Sequence, residues 1–327
     1  MKPDAIGGYL PLELPRAAAE YHPDALRFQS SRAAFLALLR ARRPAAVWLP
    51  WYCCDSLVEP LTSAGIAIKR YAIDATLRIE SVDPAHDEWL LYVNYFGLCD
   101  SHVDDVLRQY GPERVVIDNA QAFFAMPRDC VATLYSPRKF VGVPDGGYLV
   151  TRETVTPPAD VDHESIQRFT HLLKRIDAGA EASYADYSAA EASLMEQEPL
   201  RMSTLTQRIL QSIDYATVRA KRVANFAYLH ERLGASNAFA FLRSPSDNRS
   251  VPLCYPYRGG DAGLRARLMT QRIYTPCYWP EVASASDTPV FEKMLARDTV
   301  FLPCDQRLSP PQLDTIVQAV LESRGNA

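Results

Sequence analysis

Between residues 30 and 150 the chain alternates short, mostly apolar runs with segments of helical period, and no other feature limits its folding options as much. The runs are residues 45–49 (AAVWL), 66–73, 89–93 and 115–117, then VATLY at 131–135 and YLV at 148–150. Helical patterns lie between them. Ser31–Arg42 places Phe35, Leu36, Leu38 and Leu39 on a buried side, with Ser30 or Ser31 as its cap. Asp55–Ala64 is stopped by Gly65, and residues 103–110 give a third helix. Strands and helices at this spacing predict βαβ units and a largely parallel sheet. Runs that are apolar throughout, rather than alternating, predict helices on both faces.

The texture changes after Thr151. Residues 154–164, rich in proline and acid, read as a surface connection. Two helical regions follow, 165–196 and 203–233, the second long, with many Arg and Lys on its outer face. Beyond residue 234 the pattern gives strands near 251–257 and 299–302 and helices at 261–271 and 310–322. A chain of 327 residues exceeds the size at which one core stops growing. The expected organisation is a large α/β domain, residues 1–233, followed by a small C-terminal α+β domain, residues 234–327.

A formal net charge of -4 argues against nucleic acid or an anionic membrane as the main partner. No run of 18 apolar residues exists, so no membrane span is expected, and residues 1–15 lack the basic start and apolar core of a secretory leader. The seven cysteines are scattered and form no CxxC pair; reduced thiols in a cytoplasmic protein are the simplest expectation. The histidines show no zinc spacing, and no structural metal is expected.

Three elements carry candidate chemistry. The apolar run 115–117 ends in Asp118, followed by Asn119, Ala120 and Gln121; in an open α/β sheet this end of a strand borders the ligand crevice. VATLY leads into Ser136-Pro137-Arg138-Lys139, a loop bounded by prolines and closed by Gly146-Gly147 before YLV. Ser30, Ser31 and Arg32 open the first helix of the α/β region, where free N–H groups and the helix dipole favour an anion. Each alone reads as an ordinary capping residue or surface pair. Together they supply what pyridoxal 5′-phosphate (PLP) requires: a phosphate cradle, a carboxylate for the pyridine nitrogen and a lysine for the aldehyde.

In this order and spacing the sequence resembles the DegT/DnrJ/StrS family of PLP-dependent sugar aminotransferases, over nearly its whole length. The family's Ser-Gly-Thr-Ala-Ala-Leu turn is similar to Ser30-Ser31-Arg32-Ala33-Ala34-Phe35. Residues 49–74 resemble its proline-bounded strand and helix, 93–97 its "hlyG" stretch and 117–122 (IDNAQA) its "EDAAQA" motif. Residues 134–151 (LYSPRKFVGVPDGGYLVT) resemble "SFxPxK…GEGGAVVT", and 301–309 the family's "LPlhp.lt" pattern.

The resemblance implies a fold-type-I aminotransferase architecture with Lys139 linked to PLP, Asp118 at the pyridine nitrogen and Gln121 near the ring's phenolic oxygen. It also implies Ser30, Ser31 and Arg32 at the phosphate, small-molecule amino donor and keto-sugar acceptor substrates, and a homodimer. Related sugar dehydratases carry histidine where this chain has Lys139, which favours transamination. The departures are specific. Leu134 stands where the family has its phosphate-binding serine, leaving Ser136 or Thr133 for that task. Cys54 stands near the place of the ring-stacking aromatic, leaving Tyr52 or Trp51. Arg201-Met202-Ser203 resembles a segment that approaches the partner subunit, and residues 274–280 resemble a substrate loop without its histidine. Two alternatives stay open: another type of PLP enzyme acting on an amino acid, and a non-catalytic relative. A nicotinamide dehydrogenase is disfavoured because no GxGxxG follows the first strand.

Overall fold

The computed structural model describes residues 6–15, 19–239, 250–259 and 263–325. The chain runs β1 (Leu26–Phe28), α1 (Ser31–Arg42), β2 (Ala46–Pro50), α2 (Asp55–Ala64), β3 (Ala67–Tyr71), β4 (Glu88–Val93), α3 (Asp100–Tyr110), β5 (Val115–Asn119), β6 (Ala132–Tyr135) and β7 (Gly147–Thr151). Helices α4 (Ser165–Arg168), α5 (Thr170–Asp177), α6 (Gly179–Ala192), α7 (Thr204–Leu210) and α8 (Tyr215–Leu233) follow. The remainder is β8 (Cys254–Tyr257), α9 (Leu264–Thr270), α10 (Glu281–Ser284), α11 (Val290–Asp298), β9 (Val300–Pro303) and α12 (Pro310–Gly325).

Seven strands form one sheet in the order β1-β7-β6-β5-β4-β2-β3. Neighbours among β2 to β6 pair in parallel, while β7 is antiparallel to both β6 and β1. Strands β1 to β6 therefore share one direction and β7 alone opposes them. The consequence for a site is direct: the segments leaving β1, β2, β4, β5 and β6 emerge along one edge, and β7 begins there. All six residues of β4 and all five of β5 are buried, as a sheet covered on both faces demands. A separate two-stranded sheet, β8-β9, packs with Phe226, Leu229 and Leu233 of α8, Leu264 and Leu268 of α9, and Val317 and Val320 of α12 in an apolar cluster of its own.

The mostly parallel α/β expectation is met, with local differences. Ser30 caps α1, its side chain accepting from the Ala33 N–H at 3.0 Å, and Gly65 ends α2 in the left-handed region at φ 67°. Strand β1 was not anticipated; three residues are too few for a pattern. The long helix expected over 203–233 is broken: α7 ends at Leu210 and Asp214 starts α8 by accepting from the Thr217 N–H at 3.0 Å. Region 165–196 likewise divides into α4, α5 and α6, with Gly179 at φ 89° opening the last. Of the helix expected over 261–271, residues 261 and 262 lie outside the described residues, and α9 occupies Leu264–Thr270. All seven cysteines are free. Among the described residues no helix is long and apolar enough to cross a membrane.

One buried acid sets a pH dependence. Glu292 on α11 is fully buried; its Oε1 accepts the Ile73 N–H at 2.9 Å, while Oε2 has no partner among the described residues. Burial raises its pKa. A carboxyl whose pKa is higher in the folded state binds more protons there, so stability falls as pH climbs from the unfolded pKa through the folded one. Glu292→Gln keeps an oxygen for Ile73 and removes the charge. It is expected to raise stability at pH 7 by about 1 kcal/mol and leave it unchanged near pH 3, as urea unfolding at the two pH values will measure.

Candidate functional site

The shared edge of the sheet collects the predicted residues. Asp118 stands one residue from the end of β5, inside the strand rather than beyond it, and is only 8% exposed. Its Oδ1 accepts the Ala120 N–H at 2.8 Å, which turns the chain sharply and leaves Oδ2 without a hydrogen bond among the described residues. Burial pushes the Asp118 carboxyl up, and the charge of Lys139 pulls it partly back. That electrostatic coupling places Lys139 and Asp118 at one locality, although they leave different strands.

Lys139 ends a tight turn, residues 137–139, just after β6. Phe140 and Val141 both donate to the Pro137 carbonyl at 2.9 Å, so the turn is closed across the lysine. Lys139 is half-buried, and its ammonium makes no hydrogen bond or ion pair among the described residues. A half-buried cation with no committed partner is unusual for a structural lysine, which snorkels or pairs. Gln121 is 1% exposed; its Oε1 accepts the Phe96 N–H at 2.9 Å and its Nε2 is buried with no partner among the described residues. An unmet amide donor of this kind costs roughly 1–3 kcal/mol. Phe96 itself sits at φ 58°, strained backbone for a bulky residue, at the exit of β4.

The helix end presents a different picture. Ser30 is buried and its hydroxyl is spent on capping α1. The helix's own carbonyls reach none of the first-turn N–H groups, and the Ser30 side chain meets only that of Ala33. Arg32 turns away to Glu59 at 3.0 Å and the Leu194 carbonyl at 3.1 Å, and its Nε is buried without a partner among the described residues. Arg138, which the motif reading passed over, lies close enough to Arg32 to feel its charge. Arg138 pairs with Glu191; burial above all, with the neighbouring Arg168 and Arg32 charges, lowers its pKa to about 10.

Strand β7 presses on this corner. A Cβ on Gly147 would lie 2.1 Å from the Ser30 carbonyl carbon and 2.2 Å from the Ser31 nitrogen. Only glycine permits that approach.

The alternatives left by sequence resolve in part. Thr133 contacts the Cys130 sulfur at 3.6 Å, toward the far end of β6, whereas Ser136 is 5% exposed at the shared edge with no hydrogen bond for its hydroxyl among the described residues. Trp51 lies under the Arg70 guanidinium at 5.7 Å; Tyr52 is fully buried between Trp279 (ring centres 4.4 Å apart) and Tyr95 (5.8 Å), its hydroxyl unpartnered among the described residues. Cys54 caps α2, its sulfur 3.5 Å from the Ser56 nitrogen. The adjoining Cys53 feels the Asp118 charge, and burial raises its thiol to about 12, so it is an inert packing residue. Asp118, Gln121, Ser136 and Lys139 thus share the edge with uncommitted polar groups. Ser30, Arg32 and Cys54 share it with theirs largely committed. Sequence reasoning missed Asn94, whose Nδ2 donates to Asn119 at 3.1 Å and whose Oδ1 accepts the Cys99 N–H at 3.1 Å. It also missed Asp145, a buried hub accepting from Ser203 and Thr206. Asn94 stands in the 93–97 stretch and Asp145 in the 134–151 stretch, but the partners Asn119 and Ser203 lie on distant segments that local spacing does not reveal.

No family model matches the sequence, and neither does any curated protein. Solved structures do match over most of the chain. Sugar aminotransferase CalS13 from Micromonospora echinospora is 17% identical at a TM-score of 0.61, covering 92% of this chain and 87% of its own. Helicobacter pylori PseC, an aminotransferase involved in the biosynthesis of pseudoaminic acid, is 14% identical at 0.61, covering 93% and 87%. The E. coli GDP-4-keto-6-deoxy-D-mannose-3-dehydratase, solved with bound hydrated PLP, is 15% identical at 0.62, covering 90% and 87%. At such identities the likeness establishes architecture: this chain has the fold of the fold-type-I aminotransferases.

Proposed function

We propose that this protein is a PLP-dependent aminotransferase acting on an amino acid donor and a keto sugar carried by a nucleotide. The observation that carries the reading is the meeting of Lys139, Asp118 and Gln121 at one edge of the sheet, each with a polar group unspent. The residues fit the cofactor. Lys139 would hold its aldehyde carbon, Asp118 its pyridine nitrogen and Gln121 Nε2 its phenolic oxygen. Ser136 and the first turn of α1 would hold its phosphate, Ser136 replacing the serine lost at Leu134. Bound there, PLP supplies an electron sink for charge developing at the carbon that bears the amino group.

The chain's own part follows from its residues. Asp118, buried and held through Oδ1, keeps a proton at the ring nitrogen. The Lys139 amine, fixed in its turn, takes and returns the proton at the substrate carbon. The buried wall of Tyr52, Tyr95 and Trp279 excludes water from one side.

A homodimer belongs to the same proposal. Ile166, Leu173, Ile176, Tyr184, Tyr187 and Met195 leave large apolar surface exposed on α4–α6 and the turn beyond, and α5 buries no residue. So do the division at residue 233, across which Phe226, Leu229 and Leu233 of α8 join the cluster around β8-β9, and a cytoplasmic setting, supported by the seven free thiols. The reference dehydratase shares the fold, and the sugar substrate class is drawn from CalS13 and PseC.

The test is spectroscopic. Purified protein incubated with PLP is expected to absorb near the visible edge, lose that absorption on borohydride reduction, and yield one modified peptide bearing Lys139. Conversion of the spectrum by glutamate would distinguish amino transfer from other PLP chemistry. A colourless protein that takes up no added PLP would return the chain to the non-catalytic alternative.

A further inference from the structure

We infer that Arg222 and Gln306 are positioning residues for Lys139, clamping the turn that carries it to the C-terminal part of the chain. Arg222 projects from α8 and is 3% exposed. Its Nη2 donates to the Phe140 carbonyl at 3.3 Å, its Nη1 to the Pro252 and Leu253 carbonyls at 3.2 Å each, and its Nε to Gln306 Oε1 at 2.8 Å. Gln306 completes the ring by donating from Nε2 to the same Phe140 carbonyl at 2.9 Å. The guanidinium also lies over the Phe140 ring, 4.6 Å from its centre.

Every acceptor in this set is neutral. A buried cation satisfied by carbonyls and an amide alone carries a desolvation penalty, and burial accordingly lowers the Arg222 pKa. What the arrangement provides is geometry, since a planar fork of donors fixes several segments at once. Those segments matter to the site. The Phe140 carbonyl belongs to the second peptide group after Lys139, and the Phe140 N–H, in the first, is already held by Pro137. The two successive peptide groups that follow the lysine are thereby fixed, each by a different partner. Leu253, the other end of the clamp, donates its N–H to the Phe96 carbonyl at 2.8 Å, and the Phe96 N–H is bound by Gln121. Arg222 therefore joins the bank that carries Lys139 to the bank that carries Gln121.

The inference rests on the proposed role of Lys139, and its test is made on protein free of cofactor, so that the two can fail separately. Trace acetylation followed by mass spectrometry compares the labelling rate of Lys139 with those of Lys69 and Lys293 in the parent, Arg222→Met, Arg222→Lys and Gln306→Leu. In each variant Lys139 is expected to label at least threefold faster while Lys69 and Lys293 hold their parent rates. Arg222→Lys separates fork from charge: labelling at the parent rate would overturn the geometric argument. If Arg222→Met fails to fold, Gln306→Leu, at a half-exposed position, decides alone. An unchanged Lys139 rate in that folded variant, or a uniform rise at all three lysines, sinks the proposal. Borohydride trapping reports separately on whether the cofactor is present.

Discussion

Replacing Lys139 with alanine should leave the fold intact and remove amino transfer almost entirely. The expected loss in single-turnover rate is about 10⁴-fold or more, because one side chain supplies both the covalent link and the mobile proton. Thermal unfolding of the cofactor-free protein should move little, since the Lys139 ammonium makes no hydrogen bond among the described residues. The pair of measurements is what matters. Activity lost together with the fold would make Lys139 a packing residue, and activity retained would exclude it from the chemistry.

Asp118→Asn should produce the second largest effect, with a sign that separates function from stability. An amide cannot hold the ring nitrogen protonated, and the transfer rate is expected to fall by about 10³-fold. The same change should stabilise the cofactor-free protein by about 1 kcal/mol at pH 7. Burial raises the Asp118 pKa despite Lys139, so the folded state binds more protons than the unfolded chain. Stability contributed by the protonated carboxyl is then lost as pH rises through the folded pKa, and asparagine escapes that loss. Urea unfolding of both proteins across pH 4 to 7 should show the curves diverging upward. A destabilised Asp118→Asn would mean that the Ala120 turn, not the cofactor, is what the carboxylate serves.

Much of this was legible before any coordinates. The apolar runs located β2, β4, β5, β6 and β7, and the loops between them carried the polar residues, because a parallel sheet delivers successive strand ends to one edge. The candidates Asp118 and Lys139 could be placed at one edge because each stands at the end of a strand or just after it. What escaped detection depends on contacts between distant segments. Arg222 reads in sequence as one more basic residue of a charged helix, yet it is buried against carbonyls some 30 to 80 positions away. Arg32 was read as an anion ligand from its place at a helix start; Glu59, on the neighbouring helix, claims it instead. The break between α7 and α8 follows from the Asp214 cap, a local signal that the surrounding helical period obscured.

The close seating of Gly147 against Ser30 and Ser31 has a mechanical meaning. With backbone touching backbone, the head of α1 and the hairpin of β6 and β7 behave as one solid wall, and neither can withdraw from the other to admit a visitor. The corner beside the turn that carries Lys139 is therefore a fixed floor.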